Sequence, residues 1–566
     1  MGKKIVIIGG VAGGASVAAR ARRLDEQAQI TIYEKGPDVG FSNCSLPYYL
    51  SRTVASASEL VMMTPKRFKA QYNVDAVVNH EVVAIDAVAR TVKVKNCQTG
   101  DLTTDHYDEL FLAPGTVANR PRQIAGINGD QVFTLRNVTD VVALDDYLHE
   151  HQATHVAVIG GGFIGIETAE NLTRAGYRVT LIEQRAQVLP TLDDELVQII
   201  HKHLRDHHVQ LLLGQQVTEI SKSAVTLATG ETVPATAVVV AAGGTPAVQL
   251  AVEAGVTLGA TGAIQVDQQY RTNLPHVYAV GDAIEVPDAL TRQARQLGLA
   301  WPAQMEARRA VDHVYGRPTR NRGFYGAQCL PVFELNVATV GYTEAASRAQ
   351  GWSVKSALVI PEDKVGLMPD AHPIYLKVVF DALTGEIFGA QAVGQGDVDK
   401  QVDIVATVMQ QHGTVEDLGD LELCYQPEFS TTKNAVNFAG LVATNLLNGE
   451  YRQVPVTAVR NLVAQGADII DVREPGEYAR GHVVTARNIP LSQFRQRLGE
   501  IAHDHPVYLH CASGKRSYNV TRSLENLGYT NVVNVSGSFN ALCEYEYFRD
   551  VTEQRKPIVT AYSFNL

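Results

Sequence analysis

Two of the six cysteines stand apart because of their neighbours. Cys44 lies in GFSNCSLPYYL (40–50) and Cys511 in VYLHCASGKRS (507–517). A thiolate attacks sulfur in disulfides and persulfides, and its pKa falls beside a helix N-terminus or a cation. Cys44 follows an apolar strand by ten residues and precedes a helix start. Helix-terminal N–H groups are therefore expected to lower its pKa. Tyr49 holds the position five further on, and no second cysteine is near. The oxidised form must then be a mixed disulfide with an external thiol, a persulfide or a sulfenic acid. Cys511 also follows a strand. Successive N–H groups of the loop 511–516, through Ser513 and Gly514, can form an anion nest, and Lys515 and Arg516 add positive charge. Cys97, Cys329, Cys424 and Cys543 carry no motif and read as small structural, buried residues. None of the six makes a CxxC or zinc spacing, so no metal is expected.

Two similar segments must position this chemistry. KKIVIIGGVAGGASVAARARRLDEQAQITIYEKG (3–36) and THVAVIGGGFIGIETAENLTRAGYRVTLIEQR (154–185) start about 150 residues apart. Each reads as apolar strand, Gly-rich turn, amphipathic helix, apolar strand and acid, which is one βαβ unit with a dinucleotide fingerprint. Glycine N–H groups at such a helix N-terminus let a pyrophosphate approach. In the first copy Gly9 and Gly14 hold the outer positions, with Gly10 and Gly13 between them, and Val11 stands where the middle glycine would be. Glu34, followed by Lys35, ends the second strand and can bind ribose hydroxyls. In the second copy Gly160, Gly162 and Gly165 complete the pattern, and Glu167 and Glu170 lie on the helix behind it. Glu183 would accept from a ribose 2′-OH and repel a 2′-phosphate, which favours NADH over NADPH; Arg185 nearby softens that preference.

The bulk properties frame these motifs. A chain of 566 residues is too long for one core, and three or four domains are expected. A net charge of −11 argues against a general nucleic-acid or anionic-membrane binder. No apolar run reaches the length of a membrane span, and MGKKIVIIGG runs straight into a strand without a secretory signal's layout. The cytoplasm is the expected compartment, with the cysteines reduced. Beyond residue 320 the pattern changes: YLKVVFDALTGEIFGAQAVG (375–394) predicts a hairpin, with helices over 397–412 and near 434–447. LLNGEYRQVP (446–455) reads as a linker, and short αβ units follow from 456.

Further segments bring in a family. YDELFLAPGT (107–116), with Ala113 in its turn, and TNLPHVYAVGD (272–282), closing on Asp282, occur in the order that marks FAD in flavoproteins with two dinucleotide folds. The chain resembles the pyridine nucleotide–disulfide oxidoreductases, and FSNCSLPYY (41–49) resembles the single-cysteine signature of coenzyme A-disulfide reductases. NADH oxidases and peroxidases of that superfamily also use one cysteine. The resemblance implies hydride flow from NAD(P)H to FAD and on to Cys44, with Ser16, Arg20, Arg23 and Asn43 contacting coenzyme A. LCYQPEFSTTKNAVN (423–437) is similar to a later family segment. It implies that Tyr425 reaches the flavin–cysteine site from a partner subunit, that Lys433 contacts coenzyme A, and that the protein is a homodimer. Departures occur at Gly40, where the family has serine, at Asn434, where it has aspartate, at Leu367 and Met368, where it often has a tyrosine pair, and at Gln304.

IIDVREPGEYARGHVVTARNIPL (469–491) together with the Cys511 loop resembles the rhodanese signature. The expected architecture is α/β: FAD-binding over 1–150 and 266–319, NAD-binding over 151–265, an α+β dimerisation domain over 320–448, and a linker with a rhodanese domain over 449–566. The expected activity is NADH-dependent reduction of coenzyme A persulfide, polysulfide or coenzyme A disulfide, with Cys511 handling sulfane sulfur. An oxidase or peroxidase using a Cys44 sulfenate, and a non-catalytic redox or sulfur sensor, are the alternatives.

Overall fold

Apolar five-residue runs form the centres of two parallel sheets in the computed structural model, which describes residues 2–564. The chain divides into two compact units, Met1–Arg185 with Leu212–Gly326, and Ala186–Leu211 with Ala327–Leu566.

In the first unit the strand Lys4–Ile8 lies between Gln29–Tyr33 and Glu109–Leu112, parallel to both, and Val277–Ala279 extends the sheet beyond Glu109–Leu112. The run is continuous rather than alternating because both faces are covered. Helix Ala12–Leu24 packs on helix Ala300–Val314, and Val17, Ala21, Ala307 and Val311 join Ile5, Ile7 and Phe111 in one core. The second fingerprint repeats this plan: His155–Ile159 pairs in parallel with Arg178–Glu183 and Ala237–Val240 around its own core. Each sheet therefore ends its central strand in a glycine turn at a helix N-terminus, where open α/β sheets bind ligands.

The second unit holds two different sheets. Gln328–Val332, Leu335–Gly341, Ile387–Gly394, Ile374–Asp381 and Val354–Val359 form an antiparallel sheet in that spatial order. The predicted hairpin is its Ile374–Asp381/Ile387–Gly394 pair, and helices Val398–Gln410 and Ala435–Leu447 occupy the predicted helical stretches. The C-terminal sheet is parallel, in the order Gln453–Val454, Val532–Val535, Val507–His510, Asp468–Asp471, Arg487–Asn488. The expected linker is shorter than 446–455: residues 446 and 447 finish a helix, and residues 453 and 454 already pair with Asn534 and Val535.

Helix Asp194–Asp206, which the sequence reading placed in the nucleotide-binding span, clusters with this second unit. It packs on helix Ser538–Thr552, where Arg549 bonds Asp194 at 2.5 Å and the Tyr545 hydroxyl donates to Asp194 at 3.2 Å. At its N-terminal end a buried ion cluster forms. Lys377 Nζ is 2.5 Å from Glu195, 2.9 Å from Glu344 and 3.0 Å from Asp193. Burial disfavours the Lys377 charge, but the Glu195, Asp193 and Glu344 carboxylates outweigh it and raise the ammonium's pKa. Among the described residues no helix is long and apolar enough to cross a membrane, and the six cysteines form no disulfide.

Candidate functional site

The two fingerprints share one close contact. A Cβ on Gly14 would lie 1.9 Å from the Gly9 carbonyl oxygen, and a Cβ on Gly165 would lie 1.9 Å from the Gly160 oxygen. Only glycine lets each helix start so near its strand, and that approach turns the helix N–H groups toward a ligand. Nothing lies within 4 Å of the Cβ position of Gly162, so the second turn is open. Val11, where the middle glycine would be, caps the first helix with a negative φ of −100°. Glu34 accepts from the Gly10 and Gly36 N–H groups at 3.0 and 2.9 Å, and Glu183 from the Gly161 and Arg185 N–H groups at 2.6 and 2.9 Å. Both acids are thereby fixed at a strand end. Lys35 is exposed, Gly13 is buried against Val280, and the Ala113 N–H donates to Ile8. Asp282 receives Arg136 Nη2 at 3.1 Å. Glu306, buried behind this turn, accepts the Gly281 N–H at 2.7 Å, and burial pushes its carboxyl up to about 8. These two cradles, each with a fixed acid, fit a flavin dinucleotide and a nicotinamide dinucleotide.

Cys44 sits in a short turn, Asn43–Ser45, that leads into helix Leu46–Leu50. The helix is anchored by buried Leu46, Pro47 and Leu50, while Cys44 itself is exposed. The expected acidification does not appear. Desolvation by its neighbours, then the Glu167 and Asp282 carboxylates, push the Cys44 thiol up, and Arg136 and a backbone N–H only partly oppose them. A five-residue helix has a weak dipole, and two acids lie close enough to act on the sulfur electrostatically. Burial, then Glu170, raise Glu167 to about 7, against a hydrogen bond from the Tyr48 hydroxyl. Burial and Glu167 lift Tyr48 in turn to about 12. Cys44 is thus grouped with Asp282 and Arg136 of the first cradle and with Glu167 of the second.

The departure at Gly40 has a steric cause. Its φ is +62°, and a Cβ there would lie 2.6 Å from the Met63 side chain, so serine would not fit. Asn434 accepts from the Val436 N–H at 2.9 Å as the N-cap of helix Ala435–Leu447, a task that asparagine and aspartate do equally well.

Of the helix arginines, Arg20 is ion-paired with Asp312, its Nε donating at 2.8 Å, so it is not an unengaged phosphate cation. Arg22 is structural and donates to five backbone carbonyls. Arg23 is exposed, 5.5 Å over the Tyr72 ring. Ser16 and Asn43 are half-buried.

In the second unit Cys511 is buried at the start of the loop that ends in helix Lys515–Asn526. Its Sγ receives the Gly514 N–H at 3.2 Å and faces the Ser517 hydroxyl at 3.6 Å. Arg516 lies within electrostatic reach of Cys511 and makes a two-point pair with Glu477 at 2.7 Å on each arm. Ser513 is half-buried and Lys515 exposed. Tyr425 and Lys433 are exposed residues of this unit, as is Leu367. Three of the four cysteines read as structural differ from a buried hydrophobe: Cys97, Cys329 and Cys424 are exposed, and only Cys543 is buried. The sequence reading missed Arg136, Tyr48, Glu306, Asp312 and Glu477 as site residues, because their partners lie 25 to 292 residues away and share no local motif.

Comparisons with known proteins follow this division. The model of the pyridine nucleotide-disulphide oxidoreductases matches residues 3–307, that of their dimerisation domain 329–436, and that of the rhodanese-like domain 455–545. A coenzyme A disulfide reductase of Staphylococcus haemolyticus is 32% identical over 445 residues, which cover 78% of this chain and 100% of the relative. The crystal structure of reduced Bacillus anthracis CoADR-RHD superposes with a TM-score of 0.94 at 38% identity, covering 97% of this chain and 99% of the other. A NAD-dependent persulfide reductase from A. fulgidus gives 0.90 at 31% identity, covering 95% and 99%.

Proposed function

The chain belongs to the pyridine nucleotide-disulphide oxidoreductase family, and we propose that it is a flavin-dependent reductase of coenzyme A disulfide and coenzyme A persulfide, drawing electrons from NAD(P)H. The observation that carries this is the placing of Cys44. It is a single exposed redox cysteine with no disulfide partner, grouped with Asp282 of one dinucleotide cradle and Glu167 of the other. A relative's activity on coenzyme A disulfide and another's on persulfide supply the substrate class.

Gly9, Gly10, Gly13, Gly14, Glu34, Ala113 and Asp282 would hold FAD, and Gly160, Gly162, Gly165 and Glu183 the nicotinamide dinucleotide. FAD, when bound, supplies two-electron exchange between nicotinamide and sulfur. The chain's own residues do the rest. The Cys44 thiolate attacks one sulfur of the substrate S–S bond, which breaks, leaving a mixed disulfide on Cys44 and a departing thiolate. The Glu167–Tyr48 pair holds a proton beside the sulfur and can return it to a leaving thiolate. Tyr425, from the partner of a homodimer formed through the dimerisation domain, serves the same end. Ser16, Arg23, Asn43 and Lys433 contact the coenzyme A phosphates and chain, while Arg20 shares its charge with Asp312. Glu183 favours NADH. The Cys511 loop takes up sulfane sulfur, with Gly514 N–H and Arg516 turned to the sulfur. A reducing compartment, the cytoplasm, suits six unlinked cysteines.

The test is NADH consumption measured in parallel with coenzyme A disulfide, coenzyme A persulfide and hydrogen peroxide. Turnover with the two coenzyme A substrates is expected. Turnover with oxygen or peroxide alone would replace this reading with an oxidase using a Cys44 sulfenate.

A further inference from the structure

Helix Asp194–Asp206 carries His203, and His207 is its C-cap. Four residues apart, they share one face, with ring centroids 4.4 Å apart. Both reach Glu334, in the turn between strands Gln328–Val332 and Leu335–Gly341. His203 Nε2 is 3.4 Å and His207 Nε2 2.8 Å from the same Glu334 oxygen. One donor atom from each of the three residues lies within 4.8 Å of the others. Two donors on a tetrahedral ion, each about 2.0–2.1 Å from it, stand ~3.3 Å apart, so the observed separations bracket those of metal ligands.

The hydrogen bonding points the same way. His207 Nδ1 is 2.9 Å from the His203 carbonyl oxygen, which can only accept, so Nδ1 carries the hydrogen. Nε2 is then the ring atom that His207 turns to the Glu334 carboxylate. His203 Nε2 is buried and has no hydrogen-bond partner. Three possible ligand atoms thus converge, one of them without a hydrogen-bond partner, and a cation between them would engage all three. An Nδ1–H bond to a carbonyl is also the contact that orients metal-binding imidazoles. The partial negative charge of a helix C-terminus adds to the attraction. Lys202, beside His203 on the helix, is paired with Asp206 at 2.8 Å. Phe333 stacks on His207 at 3.9 Å and braces the ring, and the exposed Glu334 leaves a side open for water.

We propose that His203, His207 and Glu334 bind a divalent transition-metal cation that clips the end of this helix to the neighbouring hairpin. Two imidazoles and a carboxylate suit zinc best. The site uses none of the cofactor or sulfur residues, so it stands or falls independently of the proposed reaction. The sequence reading expected no metal because it weighed cysteine spacing only; the HLRDH spacing at 203–207 was the available signal.

The test uses the full-length flavoprotein, stripped with a chelator and dialysed against zinc at neutral pH. Wild type is compared with Glu334→Gln and His207→Ala, and metal is counted per chain by mass spectrometry. Thiol-bound zinc is common to all three proteins. Wild type is expected to retain one zinc more than either variant, and chelator competition to show zinc held at that site about tenfold or more weakly once a ligand is lost. Zinc should raise the melting temperature of wild type and not that of the variants. Equal zinc in all three proteins, or a wild-type melting temperature that zinc leaves unmoved, would overturn the proposal; the second result would assign the cluster to an imidazolium of His207 bonded to Glu334.

Discussion

The Arg516 guanidinium lies against the Glu477 carboxylate with both arms donating at 2.7 Å, and the same guanidinium acts electrostatically on the Cys511 sulfur. Glu477 is therefore the positioning residue for the charge that faces the sulfur. The bond from Arg516 holds the Glu477 carboxyl down at about 2. Since this folded value lies below the ordinary 4.5, the pair is intact above that pH and is lost as pH falls toward 2. Glu477→Gln should lower sulfur transfer from thiosulfate to cyanide about tenfold, the usual scale for a lost orienting contact. NADH-dependent reduction of coenzyme A disulfide by the same preparation should be unchanged.

Cys44→Ser should separate cofactor reduction from substrate reduction. In rapid mixing the flavin of the variant is still bleached by NADH. Steady-state turnover with coenzyme A disulfide falls roughly a thousandfold or more, as expected for loss of a nucleophile. Cys511→Ser should spare that turnover and impair only reactions fed by sulfane sulfur. Full disulfide turnover in Cys44→Ser would show that another group attacks the substrate.

Glu167 makes the reaction pH-sensitive. Its carboxyl is raised from 4.5 to about 7, so it is protonated below that pH and ionised above it. The pH profile of kcat/KM for coenzyme A disulfide should break near 7 in wild type and lose the break in Glu167→Gln. Stability provides a second readout. A carboxyl whose folded pKa is raised makes the fold lose stability as pH rises through the window from 4.5 to about 7. Glu167→Gln should therefore melt higher than wild type at pH 8 and no higher at pH 4. A break that persists in the variant would assign the titration to another group.

The matched glycines predict two different losses from the same substitution. Gly14→Ala places a Cβ 1.9 Å from the Gly9 oxygen and should give protein depleted of flavin, read from its visible absorbance. Gly165→Ala makes the same clash in the second turn, yet it should leave flavin content normal and raise KM for NADH by about tenfold or more, because the pyrophosphate approach is what is lost.

Lys377→Met should destabilise the second unit strongly. The buried carboxylates of Asp193 and Glu195 and the half-buried one of Glu344 would lose their cation, and breaking a buried pair from one side costs about 3–5 kcal/mol. Although burial opposes it, Lys377, with Arg348, holds Glu344 down at about 2. The contribution is thus present above pH 4.5 and fades as pH drops from there toward 2. Urea denaturation of the two proteins at pH 7 and pH 3 should show the gap narrowing in acid.

The parts legible in the sequence are those with a period or a fixed offset. The paired βαβ units, the glycine positions and the acids at Glu34 and Glu183 follow from local spacing, and the structure places each at a strand end beside a helix N-terminus. The rhodanese-like loop was equally local, since strand, cysteine and helix start lie within a dozen residues. The acidity of Cys44 differs from the expectation because desolvation by its packed neighbours, and then Glu167 and Asp282, more than 120 residues further along the chain, raise its pKa. Arg20 looked like a bare cation for the same reason, its partner Asp312 being 292 residues away. The allegiance of helix Asp194–Asp206 could not be read from its amphipathic pattern, which says that a face is buried but not against what.

That helix has a consequence for inheritance. His201 is fully buried, its ring 5.1 Å from Phe548, and Asp194 is bonded by Tyr545 and Arg549, all three from the sulfur-transfer end of the chain. A gene shortened before residue 450, or spliced to an unrelated C-terminal module, would strip this helix of its cover and strand a buried imidazole in water. In this chain the C-terminal module covers a helix encoded about 350 residues upstream, so a graft of that module should fold well only where the host supplies a matching helix.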